Sequence, residues 1–504
     1  PPPLLTIPRS LHGYLEFLCT NPYGSHVVQT LLALLAPVVT VEDDGETKDG
    51  EPSAEASVLQ MCEEFRGHWV ELLGGPPASH PLRSTMLVLC GREVKEAPAV
   101  GGRAVRGGKG KKKGKKKRAP GADVEAADNA LPKAVREVPP SFHAAFEGVV
   151  QELLSTTRSV LGDMVSSDAA SAVLQMALEL AAEAGLPTSD AFAKRWDMVW
   201  VEELIAHGAA SHVVEVAARV TSDKLFGSML KTWVLPKVVD LAHHPIANFV
   251  LQAFLASART TSQVDALSKA LCPHLGSLFA KNRMGVVWRL AEAAAKTDDR
   301  DVQKAVITAV LAVPAEEGVR EGAVQWILGV TGATSEGLGT STEGLLPNGC
   351  RIVKALLGCR PAVCRPVLES LLALNSRQLV DLACSPWGSR HVVEPVLEAP
   401  PDFAWAKQRM FAMFKGQWAT LAQDRFGCWA VEKSFVHADT RKKALLAGEL
   451  VVGERALTGS HIGRRVLQAV RLEHFKRDAD TWAAHWGSAD RKKAMFSDML
   501  TKAK

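Results

Sequence analysis

The chain has 504 residues, 47% hydrophobic and 23% charged, with a formal net charge of +4. That composition excludes a generic disordered chain, and the length suits several domains or one extended array. The richest apolar stretch, LLALLAPVVTV, stops at eleven residues, short of the ~18 that a membrane helix needs, so no membrane partner is expected.

The opening PPPLLTIPRS lacks the charged, apolar and small-residue sections of a secretory signal. Nine Cys, an odd number without a C-x-x-C pair, point to reduced thiols in an intracellular compartment. Cys359 and Cys364 lie closest together, but no His cluster accompanies them as a zinc site requires, so neither metal nor cofactor is expected.

The first helix signal is NPYGSHVVQTLL at 21–32, where the turn-formers Asn21, Pro22 and Gly24 precede an aliphatic run. On a helix Ser25 and Gln29 share a face, with His26 about 100° round it and Val27 and Val28 pointing elsewhere. Next comes GGRAVRGGKGKKKGKKKR at 101–118, with ten Lys or Arg and no acid. Removing those ten charges from the net +4 leaves the rest of the chain at −6. The segment cannot bury apolar surface and repels itself. It is expected to be a disordered linker that acts as a nuclear or nucleolar address with non-specific RNA affinity. Helical periodicity then dominates, as in FHAAFEGVVQELLSTTRSVL and VDALSKALCPHLGSLFAKN, with few strand-like alternations.

The opening pattern recurs along the chain. It returns as ASHVVEVA at 210–217, ANFVLQAFL at 247–255, GCRIVKALL at 349–357, GSRHVVEPVL at 388–397, GCWAVEKSF at 427–435 and GRRVLQAV at 463–470. Weaker copies are RSTMLVLCG at 83–91, ASAVLQMAL at 170–178 and RMGVVWRLA at 283–291. Numbered by the first residue of a five-residue core, the copies start at Ser25, Ser84, Ser171, Ser211, Asn248, Met284, Cys350, Arg390, Cys428 and Arg464. Six of the nine gaps fall between 36 and 40 residues, and the Lys-rich segment and the Gly/Ser/Thr-rich stretch TGATSEGLGTSTEGLLPNG account for the two largest. Helical units of that period cannot each close a core, so they stack and share one. The expectation is an all-α fold, an α-solenoid with one curved inner surface. The third and fourth core residues form the packing pair, while the first, second and fifth line a common wall.

That wall suits single-stranded RNA. Hydrogen-bonding first and fifth residues meet base edges, and the second stacks between bases. The candidate trios are Ser25, His26 and Gln29; Ser211, His212 and Glu215; Asn248, Phe249 and Gln252; Cys350, Arg351 and Lys354; Cys428, Trp429 and Glu432; and Arg464, Arg465 and Gln468. In GSRHVVE one residue is surplus, and choosing Arg390, His391 and Glu394 keeps Val392 and Val393 as the packing pair. Around Met284 a register beginning at Val286 remains open. Ser84 meets Val88, and Ser171 meets Gln175 with the unstackable Ala172 beside it.

These motifs resemble the Pumilio repeat family, in which an arc of three-helix repeats reads RNA at roughly one base per repeat. The resemblance covers about residues 10–475. Its nucleolar Pumilio-like branch, the nucleolar protein nine type, is the nearest in pattern, through HPIANFVLQAFL, NRMGVVWRLAEA, DRFGCWAVEKSF and GRRVLQAVRLEHFKRDADTW. The resemblance implies ten or eleven three-helix repeats in a curved or U-shaped array. It implies N-terminal repeats at 1–100, a basic linker at 101–139 and central repeats at 140–330. A Gly/Ser/Thr-rich loop at 331–347, C-terminal repeats at 348–475 and a helical tail at 476–504 complete the expected order. It further implies binding to pre-ribosomal RNA of the 18S region, small-subunit precursor proteins as partners, a nucleolar location and restraint of premature processing. DNA is not an expected partner. By the family's base code, Ser25 with Gln29 reads adenine, Ser211 with Glu215 guanine, Asn248 with Gln252 uracil, and Cys428 with Glu432 guanine. The irregular copies imply about four to six base contacts, with the backbone gripped elsewhere.

Three other classes compete. A HEAT- or armadillo-like peptide scaffold uses Asn and hydrophobic ladders rather than a recurring trio, and a Pumilio-type regulator of mRNA would share the same wall. An enzyme needs a nucleophile motif, H-E-x-x-H, a paired-Asp metal site or a glycine-rich nucleotide turn, and none is present, so no catalysis is expected. His244, His274 and His485 read as caps or surface residues, and Trp196, Trp200, Trp233 and Trp326 as core.

Overall fold

The computed structural model describes residues 2–39, 53–94, 131–316, 318, 322–330 and 345–488. The Lys-rich segment at 101–118, residues 331–344 of the Gly/Ser/Thr-rich loop and the end of the tail lie outside the described residues. Within them the secondary structure is helical, apart from one isolated bridge between Arg92 and Ala134. No described helix is long and apolar enough to cross a membrane.

Ten helices carry the repeat cores, and only these are numbered. In the first unit, which ends at Arg259, they are α1 (Pro22–Leu35), α2 (Ser79–Leu89), α3 (Asp168–Glu183), α4 (Ala210–Val220) and α5 (Ala247–Ala256). In the second, from Thr260, they are α6 (Met284–Lys296), α7 (Pro347–Leu357), α8 (386–398), α9 (Gly427–His437) and α10 (His461–Val470). Each core helix packs on the next within its unit, α1 to α5 in one stack and α6 to α10 in the other. This is the side-by-side solenoid packing the repeat period requires.

Seven of the ten core helices start from a side-chain cap four residues before the trio, and α2, α6 and α7 have none. Asn21 Oδ1 accepts from the N–H groups of Tyr23 and Gly24 (2.8 and 3.1 Å), and Asp424 Oδ1 from those of Phe426 and Gly427 (2.7 Å each). Ser385 and Ser460 accept from Gly388 and Gly463. His207 and His244 use Nδ1, each taking two backbone N–H groups at 3.0–3.3 Å, so His244 is a cap, as its sequence position suggests. These acceptors satisfy donors that a helix start leaves orphaned.

Directly before nine of the ten trios stands Gly or Ala, Arg283 on α6 being the exception, because the core helix begins against the end of the helix preceding it. A Cβ on Gly24 would lie 2.5 Å from the Leu18 carbonyl oxygen, and one on Gly427 2.9 Å from that of Leu421. Behind the trio, the packing pair is buried as expected: Val213 and Val214 are fully covered, as are Val286 and Val287. Burying each such Val contributes roughly 1.5–3 kcal/mol. Val27 departs from the rule at 49% exposure, on α1, the first core helix of its stack.

Two registers differ from the sequence reading. On α2 the expected core at Ser84 is buried from Ser84 through Leu89. The trio is instead Ser79, His80 and Arg83, with Pro81 and Leu82 as the buried pair. Ser79 Oγ donates to the Pro76 carbonyl at 2.9 Å, the same i to i−3 bond that Ser25 makes to Pro22 at 3.0 Å. On α8 the surplus residue is absorbed by a π-helical turn, Ser389–Val393. The trio is therefore Ser389, Arg390 and Glu394, with His391 as the inserted residue. His391 is 1% exposed, its ring 5.0 Å from that of Trp387. Ser389 stands four residues after its cap, Ser385, and its spacing to Cys350 and to Cys428 is 39 residues each way. At α6 the register beginning at Met284 holds, since Met284, Val286 and Val287 are buried while Gly285 and Trp288 are half-buried.

Candidate nucleic-acid interface

The three wall positions are not equivalent. The first residue is sunk into the helix packing: Ser25, Ser171, Ser211, Asn248, Cys350 and Cys428 are all buried. Their polar atoms already have partners. Ser211 Oγ donates to the Gly208 carbonyl at 3.1 Å, while Ser171 and Ser389 donate forward to Ala209 (2.9 Å) and Phe426 (3.3 Å) of the following repeat. Asn248 Nδ2 donates to the His244 and Pro245 carbonyls, and its Oδ1 receives Gln252 Nε2 at 2.9 Å. On α3 and α5 the first residue thus holds the fifth, Gln175 Nε2 donating to Ser171 Oγ at 3.0 Å as Gln252 does to Asn248, and in all six it is buried rather than projecting from the wall. Arg464 on α10 is the exception and is exposed.

The second residue projects. His80, His212, Phe249, Arg390 and Trp429 are exposed, and His26, Ala172, Gly285, Arg351 and Arg465 are half-buried. Phe249 is 52% and Trp429 44% exposed, large apolar surfaces left open on otherwise well-packed helices. Such surfaces are suited to stacking by unpaired bases. The fifth residues Gln175, Glu215, Gln252, Trp288, Glu394 and Glu432 are half-buried, whereas Lys354 and Gln468 are exposed. Gln29 is the departure, buried with Nε2 donating to the Ser25 carbonyl at 3.2 Å.

Charge on the wall is mixed in the first stack and strongly basic in the second. Arg83 Nη2 sits 2.9 Å from His80 Nδ1. Burial, then the Arg83 charge, then His26 hold the His80 pKa below its ordinary value. On α4 the opposite holds: His212 lies 3.2 Å from Glu215 Oε1, and that contact holds its pKa above the ordinary value despite partial burial. In the second stack Arg351 lies over Trp288 (4.6 Å to the ring centre) and Trp387 (5.1 Å), and Arg289 also covers Trp288 (3.9 Å). Arg465 donates through Nε to Glu432 Oε1 at 3.0 Å, lies 3.2 Å from Cys428 Sγ and stacks 4.6 Å from the Trp429 ring centre. One arginine of α10 therefore touches all three trio residues of α9.

The structure brings the expected trios onto successive core helices within each stack. It adds Ser79, His80, Arg83, Ser389 and Trp387, and it removes His391 from the wall. Among the described residues no cluster of three His, Cys, Asp or Glu side chains forms a metal site. All nine cysteines are free thiols, none fully exposed. Burial pushes several of them, such as Cys350 and Cys62, up to about 12, so none is a ready nucleophile.

Comparison with known proteins fits this geometry. A nucleolar protein 9 from Blastomyces gilchristii is 23% identical over 501 residues, covering 93% of this chain and 71% of that protein. One from Aspergillus fumigatus is 25% identical over 517 residues, covering 94% and 71%. Among solved structures, APUM23–GGAGUUGACGG superposes with a TM-score of 0.75 at 19% identity, covering 96% of this chain and 88% of that one. APUM23–GGAAUUGACGG gives 0.74 at 19% identity with the same coverage, a likeness of fold. The model of the NOP9-like PUF repeat domain matches residues 3–465, and the chain belongs to that family.

Proposed function

We propose that this protein is a nucleolar RNA-binding factor of small-subunit ribosome assembly. It holds the 18S region of pre-ribosomal RNA on its repeat wall and restrains premature processing of that RNA. It acts by binding, not by catalysis, alongside the proteins of the small-subunit precursor particle. The observation that carries the reading is the second-position series. His26, His80, His212 and Phe249 on one stack, and Arg351, Arg390, Trp429 and Arg465 on the other, put a planar or cationic group on nearly every core helix. Planar and cationic groups in register along a helical stack suit unpaired bases and their phosphates. The relatives named nucleolar protein 9 support the nucleolar location, and APUM23 has been solved with an RNA.

The Lys-rich segment at 101–118 adds sequence-independent phosphate contacts and a nucleolar address. Each neutralised phosphate adds about −0.7 to the log–log salt slope for single-stranded RNA. Sequencing of RNA crosslinked to the protein in cells tests the reading. Reads concentrated in the 18S region and its flanks, with early cleavage products accumulating on depletion, are expected. Reads concentrated on mature mRNA would replace the ribosomal reading with that of an mRNA regulator.

A further inference from the structure

The last core helix differs from the others at its far side. In the stack behind it, each first-position residue is covered, and in α8 it bonds forward into the next repeat. Beyond α10 no core helix follows among the described residues. The short helix Leu472–Arg477 takes that side instead, and a cavity of about 370 Å³ opens there. Two of its walls are Arg464 and Gln468, the first and fifth residues of the α10 trio, so the cavity continues the repeat wall.

A second cavity of about 310 Å³ adjoins it, and the two share Arg471 and His474. Arg477 and Trp482 contribute to the second. Glu454 and Glu473 line the first cavity and Asp478 the second, and all three are engaged: Lys476 bonds both Glu454 (2.7 Å) and Glu473 (3.1 Å), and Asp478 accepts from the backbone of Asp480 and Thr481. The other charged side chains of the lining are the cations Arg464, Arg471 and Arg477, set among neutral polar and apolar residues. Arg471 itself sits at φ +56°, ψ +48°, a left-handed conformation that non-glycine residues rarely adopt and that clusters at functional positions.

We propose that this end cavity is a further nucleotide site, in which Arg471 and His474 hold the phosphate of the RNA nucleotide that follows the one facing α10. It occupies the place of the next interrepeat slot, and its volume falls in the range that encloses a small ligand. The site rests on the RNA-binding reading above.

The test uses the full chain and a fluorescein-labelled single-stranded RNA selected from a random pool, with versions shortened one nucleotide at a time from each end. Arg471→Gly keeps the left-handed backbone without strain while deleting the cation. His474→Ala is the second variant, and thermal melting confirms that both remain folded. Each is expected to weaken the full-length RNA roughly tenfold, the worth of one charge-assisted hydrogen bond. Once one end is trimmed past the site, variant and parent should bind equally. Equal weakening on every RNA length, or no weakening at all, would overturn the end site while leaving the RNA-binding wall intact. A parent chain that selects no RNA would instead overturn the reading beneath both.

Discussion

Two phenylalanines on α5 separate function from stability. Phe249 is 52% exposed, whereas Phe254, five residues on, is 1% exposed with its ring stacked 5.4 Å from that of Phe226. Phe249→Ala removes little buried area, so its cost in folding should stay below about 1 kcal/mol, as for most surface substitutions. If its ring stacks on a base, the loss in binding is roughly 1–3 kcal/mol, a fall in affinity of about 5- to 150-fold. Phe254→Ala opens a cavity in the first stack and should cost about 3–5 kcal/mol of stability. Urea denaturation reads the stability, and fluorescence anisotropy with labelled RNA at fixed salt reads the affinity. The reasoning fails if Phe249→Ala destabilises as much as Phe254→Ala, or if it leaves the dissociation constant unchanged.

Glycines give a second contrast on the helix Thr440–Thr458. Gly448 has open space where a Cβ would stand, and Gly453 would place one 2.6 Å from the Ala419 Cβ. Gly448→Ala should therefore stabilise by about 0.5–1 kcal/mol and Gly453→Ala should destabilise, as denaturation midpoints will show; matching shifts would contradict the packing. His212 titrates above its ordinary value because Glu215 accepts its proton's hydrogen bond. Its small contribution to stability is full below the unfolded value and is lost as pH rises through the raised folded one. In an NMR titration Glu215→Gln should lower the His212 midpoint, and an unmoved midpoint would break the assignment. Trp429 and the Arg465 guanidinium, 4.6 Å apart, leave no room for a base between them. Arg465 therefore meets RNA as a cation beside the Trp429 ring rather than across an inserted base, and Arg465→Ala should weaken RNA binding and shrink the log–log salt slope by about 0.7; unchanged affinity and slope would remove Arg465 from the wall.

Much of this architecture was legible in the sequence, because a turn-former, a small residue, a trio and a buried pair recur at nearly constant spacing. The misses have physical causes. In α2 the apolar run TMLVL imitates a packing pair, and Pro81 disguises the true one. Proline is tolerated there because it lies in the first helical turn, where its missing N–H has no partner to lose. The signal was nonetheless present, since SHPLR repeats the Ser-His-x-x pattern of SHVVQ and SHVVE. In α8 no side-chain rule foretells that a π turn will swallow the extra residue, although Ser385 placed four before Ser389 matches the other caps. The sinking of the first position could not be read from one helix alone. It depends on the neighbouring repeat, whose carbonyls receive Ser171 and Ser389.

The account depends on second-position side chains forming the face that meets RNA. Ultraviolet crosslinking of the full chain to its selected RNA, followed by peptide mass spectrometry, tests that face directly. Crosslinks should fall on peptides carrying His26, His80, His212, Phe249 and Trp429. Crosslinks confined to other helices, such as Thr440–Thr458 with its exposed Leu445 and Val452, would contradict it.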